Sequence, residues 1–478
     1  MAQELEGLSA VILAGGKGTR MKSRLPKVLH PVLGEPMIFH SLRAVEHAGI
    51  PPERTIVVVG HEAEAVRKAI EARGPYRFAE QPEPLGTGHA LMVADSVLQT
   101  LAQDLTGGLK NILVLYGDNV LLRPQTLASL INLHLKASPL VTLASAETPD
   151  PSGYGRVIRQ PETGRFQAIV EQVDLLPEQV SIKEFNAGVY VFQADWALAS
   201  LPRLKKSPKG EYYLTDLPGF AIEDQPDSVE TVLVDAEDVL GINDRVQLAE
   251  VSAILRQRIL RRWMLAGVTV TDPSSTYISA ESIIGPDTVI EPNTHLKGAC
   301  KIGSDCVIGP NSILSNIQTG DRVNVLASVL EDSVLEDEVA IGPFSRVRPG
   351  CYLEKDVRMG NFAEVSRSRV GTGTRQGHFS FLGDATVGPN VNVGAGTITA
   401  NYDGVNKNKT IIGSHVFLGC DTILRAPVSV GDEAKTGAGS VVTKDVQAGT
   451  TVVGIPARLI KRKKAEETTG TGEGTSAG

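Results

Sequence analysis

Several features are scarce or absent in this chain of 478 residues, and each absence excludes a class of protein. No apolar run reaches the roughly 18 residues that a membrane-spanning helix needs, so no membrane span is expected. The first residues, Met-Ala-Gln-Glu-Leu-Glu, are acidic and lack an apolar core, which is unlike a secretory signal. Basic residues are not in excess, because the formal net charge is -8, and this argues against general nucleic-acid binding.

Cysteine is scarce, and two familiar phosphate-binding signatures are missing. The chain has no GxxxxGK[ST] loop and no GxGxxG after its first predicted strand. The cysteines have no zinc-site spacing, so they are expected to be reduced, packed thiols, which favours a cytoplasmic location. They are Cys300, Cys306, Cys351 and Cys420.

The most informative stretch that is present covers residues 13–27, Leu-Ala-Gly-Gly-Lys-Gly-Thr-Arg-Met-Lys-Ser-Arg-Leu-Pro-Lys. It follows the apolar run Leu8–Leu13, which predicts a buried parallel strand. A strand, a glycine-rich turn and clustered cations are typical of a phosphate cradle, although a glycine-rich turn alone is more often only a turn. The glycines are Gly15, Gly16 and Gly18, and the cations are Lys17, Arg20, Lys22, Arg24 and Lys27.

The first half of the chain alternates strand-like and helix-like segments. Thr55–Val59, Asn111–Leu115 and Val189–Phe192 are short apolar runs rich in β-branched residues. Amphipathic stretches such as Ile38–His47 and Glu62–Arg73 lie between them. This alternation predicts a Rossmann-like α/β domain with an open parallel sheet. The phosphate cradle would lie at the carboxyl end of the first strand, where such sheets bind ligands.

From about residue 267, apolar residues recur every six positions, a period that a helix cannot produce. This period predicts an all-β domain, a left-handed parallel β-helix of hexapeptide repeats. Breaks near 366–386 and 399–411 are expected to be loops that carry function. The repeat positions are Ile284, Ile290, Leu296, Ile302, Ile308, Leu314, Val323, Val329, Leu335, Ile341, Val347, Leu353, Met359, Val365, Ile412, Leu418, Leu424, Val430, Thr436 and Val442.

These patterns divide the chain into residues 1–244, a linker helix over 245–266, a β-helix over 267–460 and a disordered tail over 461–478. The alternative is that this helix is a core helix of the first domain. Its predicted apolar stripe comprises Val246, Ala249, Ile254, Leu255, Ile259 and Leu260.

Further motifs in the first half suit a nucleotide pocket. Gln81 could pair with a base edge, and Gly86 would let the base lie against the backbone, although a turn with a surface glutamine is the simpler interpretation. Asp118 directly follows a predicted strand, where a magnesium ligand would lie in a phosphate site.

Together with Gly153-Tyr-Gly155-Arg, Ile169-Val-Glu171, Glu184-Phe-Asn186-Ala-Gly188 and Gly241-Ile-Asn243-Asp, these motifs resemble a bacterial family. It is the bifunctional N-acetylglucosamine-1-phosphate uridylyltransferase/glucosamine-1-phosphate N-acetyltransferase family. The likeness runs from about residue 8 to 460, in the right order. It implies Mg²⁺-dependent transfer of uridylyl from UTP to N-acetylglucosamine 1-phosphate, and acetylation of glucosamine 1-phosphate by acetyl-CoA.

The resemblance implies roles for residues of the first domain. Arg20 and Lys27 would be catalytic cations, and Asp118 and Asn243 would hold Mg²⁺. The nucleotide-binding set would be Leu13, Ala14, Gly15, Gly16, Lys27, Gln81, Gly86, Thr87 and Tyr116. The sugar-phosphate set would be Gly155, Glu171, Asn186 and Asn243.

In the second domain, Gly377-His-Phe-Ser-Phe381-Leu-Gly-Asp384 resembles the acetyltransferase loop of the family, with His378 as general base. Arg348, Asn392 and Lys407 would bind the sugar phosphate. The resemblance also implies a homotrimer with acetyltransferase sites between chains. The acetyl-CoA set would be Ala395, Asn401, Tyr402, Cys420, Ala438 and Arg458.

Three positions depart from the family's pattern. Val173 and Ser366 stand where the family has lysine, and Phe381 stands where it has tyrosine. Losing a charged hydrogen bond costs roughly 1.5–3 kcal/mol, so the acetyltransferase half could be weakened. Arg367 or Arg369 could compensate, but in a strand a shift of one residue faces the opposite way. The alternatives are therefore a bifunctional enzyme, a uridylyltransferase with a trimerising β-helix scaffold, and a β-helix that binds a partner.

Overall fold

A computed structural model describes residues 5–460, so the predicted tail over 461–478 lies outside the described residues. The chain divides into two compact units, Met1–Arg256 and Gln257–Gly478. The division falls inside one helix, Arg245–Leu265. Among the described residues, no helix is both long enough and apolar enough to cross a membrane.

The described residues of unit 1 form eleven strands and the helices of an α/β fold. The strands are β1 Leu8–Leu13, β2 Pro31–Val32, β3 Glu35–Pro36, β4 Thr55–Val59, β5 Arg77–Glu80, β6 Asn111–Tyr116, β7 Val141–Glu147, β8 Arg156–Arg159, β9 Phe166–Val170, β10 Glu184–Gln193 and β11 Val229–Leu233. The helices are α1 Met37–His47, α2 Ala63–Glu71, α3 Thr87–Asp104, α4 Pro124–Ala137, α5 Ala194–Ser200, α6 Leu217–Asp224 and α7 Arg245–Leu265.

The main sheet of unit 1 is mixed, and this corrects the predicted all-parallel sheet. Its strand order is β11-β7-β10-β6-β1-β4-β5. Strands β1, β4, β5 and β6 are parallel neighbours, but β10, which contains Val189–Phe192, runs antiparallel to both β6 and β7. The apolar run of β10 is buried on both faces like that of a parallel strand, so its sequence did not reveal its direction.

Two strand ends bring the glycine-rich turn and Asp118 together. Leu13, the last residue of β1, lies opposite Tyr116, the last residue of β6. The amide of Gly117 donates to the carbonyl of Leu13 at 2.9 Å. The chain after each strand therefore leaves the sheet at the same edge, where ligands bind in open α/β sheets.

Helix α7 begins against unit 1 and uses only part of the predicted stripe. Val246 and Ala249 are exposed. The contact uses Val251 together with Leu248, Ile254 and Leu255, which pack on the core cluster of Met21, Val32, Met37, Val120, Leu121 and Ile242. The first part of the helix is thus part of a core of unit 1.

The described residues of unit 2 form three sheets, parallel except for one final strand, whose strands follow one another in rotation. The first sheet contains Thr269–Val270, Val289–Ile290, Val307–Ile308, Asn324–Val325, Ala340–Ile341, Arg358–Met359, Arg375–Gln376, Asn392–Val393, Phe417–Leu418, Lys435–Thr436, Thr451–Val453 and the antiparallel Arg458–Leu459. The second contains Tyr277–Ile278, His295–Lys297, Ile313–Ser315, Val329–Glu331, Arg346–Val347, Ala363–Ser366, Ser380–Gly383, Ile398–Ala400, Ile423–Arg425 and Val441–Val442. The third contains Ile283–Ile284, Lys301–Ile302, Gln318–Thr319, Val334–Leu335, Tyr352–Leu353, Arg369–Val370, Ala385–Val387, Thr410–Ile412 and Val428–Val430.

This rotation is the left-handed hexapeptide β-helix expected from the repeat. All predicted repeat positions except Val329 are buried. Leu330 takes the inward position of that strand instead, because the coils around residues 318–335 are shorter and shift the phase. Cys420 is also exposed, so it is not the packed thiol that was expected.

Only one of the two predicted breaks is a loop. Strands continue through 366–386, and the inward positions there are Val370, Gln376, Leu382 and Val387. The apolar period is interrupted in the sequence because the polar residue Gln376 occupies one inward position. The second break is a true excursion, because residues 401–409 join Ile398–Ala400 to Thr410–Ile412.

Candidate active sites

A cleft of about 740 Å³ opens at the edge of the unit 1 sheet where β1 and β6 end. It is lined by every residue that the sequence assigned to the nucleotide, sugar-phosphate and metal sites of the first domain. These residues are Leu13, Ala14, Gly15, Gly16, Arg20, Lys27, Gln81, Gly86, Thr87, Tyr116, Asp118, Gly155, Glu171, Asn186 and Asn243.

Charged and polar groups converge at one end of this cleft. Lys27 Nζ lies 2.5 Å from Asp118 Oδ2 and 3.0 Å from Asn243 Oδ1. The guanidinium of Arg20 donates to the same Asn243 oxygen at 2.9 Å. The backbone amide of Asn243 donates to Gln247 Oε1 at 2.7 Å, and this hydrogen bond anchors Asn243 to the start of α7.

This group of side chains fits a magnesium ion held jointly with phosphates. Mg²⁺ prefers oxygen ligands and usually uses one or two carboxylates together with substrate phosphates. Asp118 supplies a carboxylate and Asn243 a carboxamide oxygen. Within the described residues no cluster of three or more His, Cys, Asp or Glu side chains could hold a metal by itself.

Gln81 is buried beside the glycine-rich turn and is not a surface glutamine. Its Nε2 donates to the carbonyl of Gly86 at 3.0 Å and lies 3.1 Å from His89 Nδ1. A Cβ on Gly15 would lie 2.6 Å from Gln81 Oε1, and a Cβ on Gly86, where φ is +97°, would lie 2.5 Å from the carbonyl oxygen of Tyr212. Glycine is required at position 86, because its φ is positive and the close contact is with backbone, whereas a side chain at position 15 would have to displace the Gln81 carboxamide.

A second group of polar side chains lines the same cleft. Glu171 Oε1 accepts a hydrogen bond from Thr215 at 2.9 Å, and burial raises the pKa of its carboxyl group. Asn186 Nδ2 donates to the hydroxyl of Tyr190 at 2.6 Å, and Asn186 Oδ1 accepts from the amide of Gly188 at 3.2 Å. These contacts fix a carboxylate and a carboxamide where a sugar could be recognised.

The sequence missed several residues of the cleft. Tyr154 and Tyr213 add aromatic walls, and Glu211 and Asn119 add polar groups. Tyr154 stands between Gly153 and Gly155 of a motif that the sequence offers, so it could have been assigned to the cleft from its neighbours. Val173 is 58% exposed and does not line the cleft.

In unit 2, four predicted residues lie along one edge, in the turns that join the first sheet to the second. We call this edge the first corner; it carries His378, Ala395, Cys420 and Ala438. Backbone hydrogen bonds connect successive turns: Gly396 donates to Phe379 at 2.7 Å, Asp421 to Ala395 at 2.6 Å and Gly439 to Cys420 at 2.8 Å. The structure therefore aligns the predicted base with three predicted acetyl-CoA positions.

The turns that join the second sheet to the third form the second corner. It carries Arg348 and the loop with Asn401, Tyr402 and Lys407. The carboxylate of Asp384, a residue that the sequence did not single out, accepts from Asn401 Nδ2 at 2.5 Å. Arg367 holds the pKa of that carboxyl below its usual range.

Arg367 occupies the space beside Ser366. Its guanidinium binds both oxygens of Asp384, at 2.7 and 2.8 Å, and donates to Ser366 Oγ at 3.0 Å. The expectation that Arg367 faces away is wrong, because it lies just beyond the strand end with φ at +47°, where alternation no longer applies. Arg369 instead pairs with Glu354 on the third sheet.

Two predicted residues lie at neither corner. Asn392 is on the exposed face of the first sheet, between Arg375 and Phe417 of the neighbouring strands. Arg458 is exposed on the final antiparallel strand of that sheet.

Comparison with known proteins agrees with both halves of the chain. A family model described as nucleotidyl transferase matches residues 9–251. Models of bacterial transferase hexapeptides and of the hexapeptide repeat of succinyl-transferase match residues 281–316 and 409–444.

Curated relatives match almost the whole chain. The bifunctional protein GlmU of Pelobacter propionicus is 44% identical over 451 residues, which cover 94% of this chain and 96% of that protein. The GlmU proteins of Prochlorococcus marinus and Heliobacterium modesticaldum are 43% and 44% identical, over 95% and 93% of this chain and 99% and 95% of those proteins. The chain therefore belongs to the family of bifunctional GlmU proteins, which combine a UDP-N-acetylglucosamine diphosphorylase with a glucosamine-1-phosphate N-acetyltransferase.

Proposed function

We propose that the unit 1 cleft is the uridylyltransferase site and that residues of the two corners of unit 2 form the acetyltransferase site. The observation that carries the first assignment is the convergence of Lys27, Arg20, Asp118 and Asn243 at the end of β1 and β6. The second is supported by the alignment of His378 with the predicted acetyl-CoA turns.

In the first reaction, a phosphate oxygen of N-acetylglucosamine 1-phosphate attacks the α-phosphorus of UTP, and pyrophosphate leaves. An anion attacks another anion, so positioned cations lower the barrier. Lys27 lies where it would contact the reacting phosphates, and Arg20 would neutralise the departing pyrophosphate. Asp118 and Asn243 would hold Mg²⁺, which when bound supplies further positive charge to the phosphates.

Different groups of the cleft would recognise the two substrates. The bare backbone from Leu13 to Gly16 would bind the triphosphate, and the Gln81–Gly86 contact would form the platform for uracil. Glu171 and Asn186 would bind the acetylated amino sugar.

In the second reaction, the amine of glucosamine 1-phosphate attacks the thioester carbonyl of acetyl-CoA. His378 would take the proton that the amine loses, and the CoA thiolate leaves and is protonated. Arg348 and Lys407 would bind the sugar phosphate. Cys420, Ala395 and Ala438, together with Asn401, Tyr402 and Arg458, would contact acetyl-CoA.

The proposal includes a homotrimer. His378 and the phosphate-binding cations lie at different corners of one chain, separated by strand Ser380–Gly383, so a second copy would complete the site. An exposed apolar column also follows the first corner. Phe344 and Phe362 are 60% and 63% exposed, and their rings stack at 5.5 Å, with Phe379 in the next turn. Burial of this column against another copy would remove it from water.

The free thiols Cys300, Cys306 and Cys351 are buried without disulfides among the described residues. We extend the proposal to a cytoplasmic location, where thiols are kept reduced.

Reciprocal variants test both site assignments in one chain. Asp118→Ala should abolish Mg²⁺-dependent pyrophosphate release from UTP and N-acetylglucosamine 1-phosphate, while thiol release from acetyl-CoA continues. His378→Ala should abolish thiol release with glucosamine 1-phosphate and leave pyrophosphate release intact. Each variant is thus the folding control for the other. Pyrophosphate release that survives Asp118→Ala, or thiol release that survives His378→Ala, would refute the corresponding assignment.

A further inference from the structure

One inward position of the β-helix holds a long polar side chain that the mechanism does not use. Gln376 is 0% exposed and is stacked in register on Met359. A glutamine in an apolar core is costly unless its amide is hydrogen-bonded. Its Oε1 has no hydrogen-bond partner among the described residues, so part of the free energy lost on removing the amide from water is not regained.

The amide nitrogen of Gln376, by contrast, is hydrogen-bonded. Its Nε2 donates to Ser380 Oγ at 3.0 Å, and the Ser380 hydroxyl donates to the carbonyl of His378 at 2.9 Å. Weaker contacts at 3.4 Å join the same Nε2 to the carbonyls of Ser380 and Glu364. The core amide is therefore connected through one hydroxyl to the backbone of the turn at 377–379.

That backbone determines where the predicted base lies. The imidazole of His378 is exposed, and in the described part of the chain no side chain or carbonyl is hydrogen-bonded to it. The turn is also seated tightly on the coil beneath it, because a Cβ on Gly360 would overlap the carbonyl of Gly377. Positioning of the imidazole thus depends on the turn and on the groups that fix the turn.

We propose that Gln376 is a positioning residue for His378, and that it acts through Ser380 from inside the β-helix. The inference rests on the proposed role of His378 as general base. It explains a polar residue at a position where leucine or valine would pack better. A small displacement of a catalytic group lowers the reaction rate. Buried hydrogen bonds that hold the turn at 377–379 in place would therefore raise kcat.

Gln376→Met tests the proposal because it keeps the length of the side chain and removes the amide. We expect kcat for acetyl transfer to fall about tenfold, which equals about 1.4 kcal/mol, the order of one hydrogen bond. The KM for acetyl-CoA and the uridylyltransferase activity of the same preparation should not change. The thermal stability of unit 2 should not fall, since an unsatisfied buried carbonyl is removed.

Ser380 variants separate positioning from packing. Ser380→Ala should reduce kcat as much as Gln376→Met does, and the double variant should be no worse than either single variant, because both interrupt one chain of hydrogen bonds. Ser380→Thr retains the hydroxyl and should retain most of kcat. Thr319→Val is the control, since it removes a half-buried hydroxyl that accepts a hydrogen bond from the backbone amide of Gly303 at 3.0 Å, in a coil without site residues.

Three outcomes would overturn the proposal: unchanged kcat in Gln376→Met, additive losses in the double variant, or a kcat loss that only follows a lower melting temperature. His378→Ala is measured beside these variants. If it retains thiol release, His378 is not the base. That result differs from one in which His378 is the base but Gln376 does not position it.

Discussion

Nζ of Lys27 lies 2.5 Å from Oδ2 of Asp118, so the cation of the glycine-rich turn and the carboxylate after β6 form a direct ion pair. The pair forms because Leu13 and Tyr116 are in register at the ends of adjacent parallel strands. Each partner has a second role in the proposed reaction, one toward phosphates and one toward Mg²⁺. The lysine and the metal would therefore compete for one carboxylate.

Lys27→Met should separate these two roles. We expect the kcat of uridylyl transfer to fall by about one to two decades, because a charged contact with phosphate is worth roughly 1.5–3 kcal/mol. The Mg²⁺ concentration for half-maximal rate should not rise, because a competitor for Asp118 has been removed. Steady-state rates over a Mg²⁺ titration measure both. Lys22→Met, an exposed lysine outside the cleft, is the control. A higher Mg²⁺ requirement in Lys27→Met would contradict this account.

The stability of unit 1 should depend on pH through His134. Burial lowers the pKa of His134 to about 4 from its usual 6.5. Its neutral ring is bonded to Thr142 Oγ1 at 2.9 Å and Asn111 Oδ1 at 3.0 Å. The folded state therefore resists protonation, so this stabilisation is present above about pH 6.5 and is lost as the pH falls toward 4.

Thermal melting between pH 7 and 4 measures this effect, at up to about 1.4 kcal/mol for each pH unit. His134→Gln should lower the melting temperature at pH 7 and flatten its decline in acid. His61→Gln, at an exposed position after β4, should leave the decline unchanged. An equally steep decline in His134→Gln would assign the acid sensitivity to other groups.

The two departures in the second domain should respond differently to reversal. Phe381 faces outward from the second sheet, so Phe381→Tyr should lower the KM for glucosamine 1-phosphate by up to about a decade. Ser366 is only 2% exposed, and the Arg367 guanidinium already lies beside it. Ser366→Lys should therefore give no gain and should destabilise unit 2. Acetyl-transfer kinetics of both variants test this, and a gain from Ser366→Lys would contradict the account that Arg367 already fills the space beside Ser366.

The exposed phenylalanine column should control assembly. Phe362→Glu places a charge in the column that the proposed trimer buries, so the mass in solution should shift from trimer toward monomer. Acetyl transfer should fall with it, while uridylyl transfer persists. Light scattering measures the mass. Ile283→Glu, which changes an equally exposed apolar residue of the third sheet, should remain trimeric. A trimeric Phe362→Glu protein would place the interface elsewhere.

Much of the unit 1 site could be predicted because its chemistry is local in sequence. The strand Leu8–Leu13, the turn after it and Asp118 after β6 were each recognisable from a short stretch. The antiparallel direction of β10 was not recognisable, because a strand buried on both faces has the same apolar pattern in either direction. The aromatic walls Tyr154 and Tyr213 enter the cleft through loops whose course depends on distant packing.

The sequence by itself determined the repeat of the β-helix, since one inward apolar side chain per six residues is a property of the chain. It also determined which glycines and cations surround the cradle, and the resemblance to the GlmU family. Only the tertiary structure decided where the repeat continues without an apolar residue, as at Gln376. It also decided that Arg367 adopts a left-handed backbone conformation, which brings its guanidinium onto Ser366. The physical reason is that a periodic pattern records burial of apolar groups, whereas the hydrogen bonds of polar side chains such as Gln376 and Arg367 depend on which groups the folded coils place beside them.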